Sequence, residues 1–556
     1  MTQIYAQPRV RRGLTLVEML VATTLTLILF FSVAQIFAFL GDTMHDARST
    51  IELSGNLRAL TTTMQTDLDC HTAPGLPLVA VGANKGYFTV IEGPDRDWDF
   101  ATATSMAGDA DDIIAFTAYS KEQPFVGLIV GDLVKIDTNN DGAGDTLCIN
   151  GSSNITPITS HYAEIIYWTE FTPFDDTDGN GVRGPHETVT LFRRVLLIRP
   201  DIDFVHVSGS WNAGTGWTWN TTRSISQLEA FNNFDLALRA YSKGTGANWQ
   251  WRTNSLEDLQ SRTNRHGSSM SRTSQATANN GPAALFDEPT GTPHSAPGTL
   301  IGRTLSDFPY PLRPRYLRSF EKMNEVAIET GSNITGIRDR TGEDVVMSKV
   351  LAFDVKVFDP LAPILVHAAS SDIATIPGDY GFKDLDATVD VTNPKAISAG
   401  TGAYVDLNWF NFTDDPNRAP PSRPLLYTGG HFYGGPSAQS QLGGQTIPIY
   451  QYGRSPSVAN ARSLAIYDTW PLLYEQDGVD QDNDSLVDEG NNGIDDPYVA
   501  GNSATILNGV DDPLERETAP PYDHPLRGIQ ITIRAIEDGS RLIRQETVVA
   551  NMTPSS

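Results

Sequence analysis

Two cysteines, Cys70 and Cys148, are all that the 556 residues contain, and no CxxC pair occurs. The ten histidines are scattered with no metal-ligand spacing between them. HExxH, GxSxG and Walker patterns are absent as well, so the sequence reads as a non-enzyme. Positive charge is also scarce. Lys and Arg number 40 against 67 Asp and Glu, a net charge of -27. Such a surface repels phosphates, which excludes nucleic acid as a partner and leaves calcium or solubility as the reason for the acid. Proline is missing from Leu40 until Pro74, which leaves room for one long helix.

What the sequence does have is one long apolar run. From Leu14 to Leu40 only Glu18 and Gln35 carry a charged or amide side chain, enough helix to cross a hydrocarbon core of about 30 Å. A cleaved secretory signal has a shorter apolar core, a small-x-small site after it and no acid near its start. This segment has none of these features. Arg9, Arg11 and Arg12 precede it without an acid, so residues 1–13 stay cytoplasmic and the rest crosses. A carboxylate in a spanning helix costs about 2.5 to 3.5 kcal/mol, so Glu18 calls for a partner.

Leu53, Leu57, Leu60, Met64 and Leu68 recur at helical spacing, with Glu52, Arg58, Gln65 and Asp69 turned away. The helix is expected over 14–69, roughly 80 Å long, with residues 14–40 in the membrane and the second half against a globular body. Past Ala73-Pro74-Gly75 the pattern turns to short strands and polar turns. Leu351, Phe353, Val355 and Val357 alternate on one face, as do Ile529, Ile531, Ile533 and Ala535. Each of those two strands can cover a helix on one side and meet water on the other. The body lies across the membrane, where a disulfide persists. A Cys70–Cys148 bridge and two separate buried thiols both stay open.

Gly13-Leu14-Thr15-Leu16-Val17-Glu18, with its basic leader and apolar run, resembles the processing site of type IV prepilins and type II secretion pseudopilins. The resemblance implies that a prepilin peptidase cuts after Gly13 and methylates the new N-terminus at Leu14. It also implies that Glu18 meets the N-terminal amine of a neighbouring subunit. Ile165-Ile166-Tyr167-Trp168 and Val189-Thr190-Leu191-Phe192-Arg193-Arg194 resemble the hairpin with a paired-arginine strand of J-type minor pseudopilins, and 525–533 stands for the closing strand. The likeness covers 1 to about 200, 345–360 and 525–550. The expected layout is a leader (1–13), the helix (14–69), a first body part (70–204), an insertion (205–344), a body strand (345–360), a second insertion (361–524) and closing strands (525–556). The first insertion holds Trp211, Trp217, Trp219, Trp249 and Trp251, followed by a Ser/Thr/Asn-rich stretch, 255–282, read as a mobile loop.

Three acidic loops have the spacing of calcium ligands. Asp176, Asp178 and Asn180 stand at the first, third and fifth positions of an EF-hand-like loop, with Gly181 at the sixth, the Val182 carbonyl at the seventh and Glu187 at the twelfth. Asp137, Asn139, Asp141 and Asp145 repeat its first half, and Cys148 falls at the twelfth position. Asp480, Asp482, Asp484 and Asp488 resemble the loops of dockerin and thrombospondin type 3 repeats, as does the 137–145 loop. All-oxygen donors favour Ca2+ over zinc.

The expected fold is α+β and pilin-like, with a long N-terminal transmembrane helix on a β-rich body carrying large insertions. The expected function is a minor pseudopilin or pilin-like subunit, anchored in the inner membrane and assembling with other pilin or pseudopilin subunits into a type II secretion or type IV pilus filament. Its expected place is in filament assembly or at the tip: so bulky a body suits the tip, whereas retention of Glu18 weighs against a K-type tip subunit, and tip and shaft both stay open. The alternative is a pilin-anchored adhesin or substrate-binding protein whose binding face is the Trp-rich insertion.

Overall fold

In the computed structural model the proline-free stretch is one helix, α1 (Leu16–Asp69), of 54 residues. The structure describes mainly residues 15–76, 83–92, 108–137, 146–150, 152–171, 186–203, 227–242, 249–260, 264–266, 337–367, 370–379, 396–407, 465–471, 525–537 and 541–552, with a few isolated positions and short hairpin strands besides. Two compact units result. One holds the helix up to Asn56 with Ile536–Arg544, the other Leu57–Ala535 with Gln545–Ser556.

The strands used below are β1 (Phe88–Glu92), β2 (Ile113–Tyr119), β3 (Phe125–Val130), β4 (Leu133–Ile136), β5 (Thr146–Ile149), β6 (Ile155–Ser160), β7 (Tyr162–Glu170) and β8 (Val189–Leu197). After helix α2 (Gln227–Asn233) come β9 (Leu238–Ser242), β10 (Trp249–Thr253), β11 (Val345–His367), β12 (Ser370–Thr375), β13 (Ala396–Val405), β14 (Ala465–Asp468), β15 (Gly528–Ile536) and β16 (Ile543–Asn551). Among the described residues the central sheet has ten strands, in the order β14-β1-β2-β7-β8-β11-β15-β16, with β12 and β13 also paired to β11. From β14 to β15 neighbours run antiparallel. The expected body strand at 345–360 extends to His367, and Phe353 and Val355 face Ile533 and Ile531 across its junction with β15.

On β15 burial alternates as its sequence predicts. The middle strands differ. In β2 every residue but the last is buried, and β7 is buried from Ala163 to Trp168, so the sheet must be covered on both faces. One face takes the second half of α1, whose Leu57, Leu60, Met64 and Leu68 are buried. The other face takes part of the first insertion. Ile166, Trp168, Phe192 and Leu196 share a core with Ala237, Leu256 and Leu259. A further core joins β3, β5 and β6 to α2 and β10, where Phe231 meets Trp251 edge-on.

The expected mobile loop over 255–282 therefore begins as packed structure. Leu256, Leu259, Gln260, Arg265 and His266 are all buried, because a sheet apolar on both faces needs them. The tryptophans also divide. Trp251 is core, while Gly209–Asn212 and Gly216–Trp219 pair as a hairpin that sets Trp211 opposite Trp217.

Candidate functional site

The N-terminal end of α1 is built by a local pattern, Thr-x-x-Glu. Glu18 Oε2 accepts the Thr15 backbone N–H at 2.8 Å and the Thr15 hydroxyl at 2.9 Å, while Glu18 N–H points back to Thr15 Oγ1 at 3.3 Å. This is a reciprocal capping box, with the acid also at the positive end of the helix dipole. Glu18 is thus partnered within its own chain, a role legible in Thr15-Leu16-Val17-Glu18 and absent from the sequence reading above. Leu16–Gly41 is long and apolar enough to cross a membrane, and none of it is buried. Gly13 and Leu14 lie outside the described residues.

The other end of the helix is tied to the sheet by charge. Asp67 accepts two bonds from Arg193, Nε to Oδ2 at 2.7 Å and Nη2 to Oδ1 at 2.9 Å, and a third from the Tyr167 hydroxyl at 2.6 Å. Tyr167 and Arg193 stand directly opposite each other on β7 and β8. Burial, then the Asp67 charge, pushes the Tyr167 phenol well above its ordinary range, so it stays a donor. The next residue, Arg194, points to the other face by strand alternation. It is buried, pairs with Asp344 and lies over Trp168 at 5.5 Å. The paired arginines so hold opposite layers to one strand.

Both N-terminal acidic loops join antiparallel strands. Ile136 pairs with Thr146 across the 137–145 loop, and Glu170 pairs with Thr190 across the longer loop that contains 176–187. Asp137 is exposed at the end of β4. At the base of the longer loop, Glu187 is buried and its Oε1 accepts Thr177 N–H at 2.7 Å and Thr177 Oγ1–H at 2.8 Å. Asp175 is buried beside it and accepts the Thr188 and Thr190 hydroxyls at 2.8 and 3.3 Å. The twelfth-position acid therefore folds back onto the start of the loop, a closure that suits an oxygen-lined cation site. Asp176, Asp178, Asn180, Val182, Asn139, Asp141, Asp145, Asp480, Asp482, Asp484 and Asp488 lie outside the described residues.

A different acidic group is brought together by the fold. Asp109, Asp111 and Asp112 offer ligand oxygens that all lie within 4.8 Å of one another, a group that could hold a metal ion. Their segment runs along β11. Gly108 N–H donates to Leu351 O and Phe353 N–H to Asp109 O, both at 2.9 Å, while Val355 N–H donates to Asp112 Oδ2 at 2.7 Å. The approach is close enough that a Cβ on Gly108 would sit 3.0 Å from the Ala352 Cβ. Sequence reasoning missed this group. Its signal, Asp109-Ala110-Asp111-Asp112, lacks the glycine turn and twelve-residue spacing of the loops.

No disulfide joins Cys70 and Cys148, which closes the alternative left open above. Cys148 is buried on β5 opposite Val134, whereas Cys70 follows α1 with its carbonyl accepting Tyr119 N–H from β2. Burial, then the charges of Asp67 and Asp69, raises the Cys70 thiol above its ordinary value.

No protein-family model, curated protein or solved structure matches the chain.

Proposed function

We propose that this protein is a pilin-like filament subunit, a minor pseudopilin of a type II secretion or type IV pilus machine. It is held in the inner membrane by Leu16–Gly41 and processed after Gly13. The observation that carries the reading is the division of α1. Its first half is apolar and exposed and starts at an acid, while its second half buries one apolar face and ends in a bidentate clamp to β8. A helix so divided suits a subunit that trades lipid for neighbouring helices while its body stays folded. Both Thr15 donors converge on Glu18 Oε2, so in this reading the other oxygen of the exposed side chain receives a neighbour's amine. In this reading the amine offsets the membrane cost of the acid.

Calcium is the proposed cofactor, bound by the 176–187 loop and by Asp109, Asp111 and Asp112. Three carboxylates held so close repel one another, and a divalent cation offsets that repulsion. All-oxygen donors favour Ca2+ over zinc.

The test of the filament reading is Glu18→Ala in the native host. The variant should insert and fold, since its helix becomes more apolar, yet be depleted from sheared filaments. Equal recovery of variant and parent in the filament fraction would count against it.

A further inference from the structure

The sheet face opposite α1 is covered by residues 255–260 and 264–266, and one buried carboxyl lies beneath them. Glu164, on β7, is fully buried. Its Oε1 accepts the Tyr87 hydroxyl at 2.7 Å and the His266 N–H at 3.0 Å, while Oε2 is buried with no hydrogen bond among the described residues. Arg265 does not pair with it. That guanidinium lies 3.9 Å above the Tyr87 ring and donates to Leu259 O, Gln260 O and Thr89 Oγ1.

His266, on the covering segment, is buried as well. Its Nε2 lies 3.2 Å from Arg194 Nη1. An arginine can only donate, so Nε2 must accept, and the imidazole is neutral with its proton on Nδ1. The Phe231 ring meets it edge-on at 4.5 Å. A carboxylate with both donors on one oxygen and no ion pair is equally out of place in a dry site, and the neutral acid suits it better.

We infer that Glu164 and His266 enter the interior as two neutral groups, so that docking of residues 255–260 and 264–266 takes up one proton and gives up one, and is thereby insulated against mild acid.

Burial pushes the Glu164 carboxyl up from an ordinary 4.5 to about 7, against the Tyr87 bond, the His266 amide and the Arg265 charge. Burial, then the Arg194 charge, pushes His266 well below its ordinary 6.5, with Asp344 opposing and Arg340 adding to the push. The charged groups facing the pair are Arg194, Arg265, Arg340 and Asp344, with the Tyr87 hydroxyl beside them. Against the cost of burial, Asp344 is held low by Arg194 and Arg340, and Arg340 is held high by Asp235 and Asp344.

The signs then oppose each other. Glu164 favours docking at low pH, and that contribution is lost as pH rises from 4.5 towards about 7. His266 favours docking above 6.5, and that contribution is lost as pH falls below it. Between these ordinary values the undocked pair carries one proton, on His266, and the docked pair carries one, on Glu164.

Hydrogen exchange of the full chain in detergent micelles tests this, read on peptides covering 255–266 between about pH 5 and 6.5 and corrected for intrinsic rates. The parent should open to a nearly constant extent. Glu164→Gln should open about tenfold more for each unit of falling pH, and His266→Gln about tenfold more for each unit of rising pH, with the double variant flat again. Flat single variants, two single variants tilting the same way, or a tenfold-per-unit slope in the parent would overturn the inference. Infrared spectra at mildly acidic pH supply a readout that does not depend on how well His266→Gln folds. The parent should show a protonated-carboxyl band that Glu164→Gln lacks, and its absence from the parent would be equally decisive against the pair.

Discussion

Cutting the clamp between Asp67 and Arg193 should loosen the helix from the sheet by an amount the geometry bounds. The pair is bidentate, at 2.7 and 2.9 Å, and Tyr167 adds a third bond to the same carboxylate. The Asp67 side chain is 6% exposed and that of Arg193 21%. Removing one partner of a buried pair costs about 3 to 5 kcal/mol, because the other charge is left unpaired. Partial hydration of Arg193 places this case at the low end, so Asp67→Ala and Arg193→Met should each cost about 3 kcal/mol. Tyr167→Phe removes one hydrogen bond to a charged group and should cost about 2 kcal/mol. The double variant Asp67→Ala/Arg193→Met leaves no orphan charge and should cost well under the sum, with a coupling of about 2 kcal/mol. Urea unfolding of the full chain in mild detergent would measure these values through Trp168, which is buried and stacked on Phe192. Additive single effects, or single losses below about 1 kcal/mol, would show that the clamp is an ordinary surface pair.

Mass analysis of protein from its own host should find a methylated Leu14 at the N-terminus, and Gly13→Ala should leave residues 1–13 attached; an intact Met1 on the parent would remove the basis for the pilin reading. Calcium should raise the melting temperature of the protein more than magnesium does, since binding to the native state alone adds about 2.7 kcal/mol at a hundredfold excess over Kd. Glu187→Gln should remove a substantial share of that difference, and an identical melt with calcium, magnesium and chelator would reduce these acids to solvated turns. Asp111→Asn should lower calcium uptake by about one ion per chain if Asp109, Asp111 and Asp112 form a site; unchanged stoichiometry by equilibrium dialysis would argue against one.

The parts that the sequence by itself determined are those in which the deciding residues are neighbours along the chain. The proline-free run, the apolar stretch and the leucine spacing define α1 because helical hydrogen bonds and faces repeat within four residues. Alternation at 529–535 marks β15 for the same reason, with a period of two. The capping box at Thr15 and Glu18 was equally legible. Other features depended on partners far along the chain. Asp67 finds Arg193 across 126 residues, Glu164 finds His266 across 102, and Asp112 meets Val355 across 243. No local pattern encodes such meetings. That β2 and β7 are apolar on both faces announces a second covering layer, but only the tertiary structure chose residues around Leu256 and Leu259 to supply it. The disulfide was undecidable on the same ground, since two cysteines permit a bridge in sequence and only the tertiary structure, which leaves both thiols free, denies it.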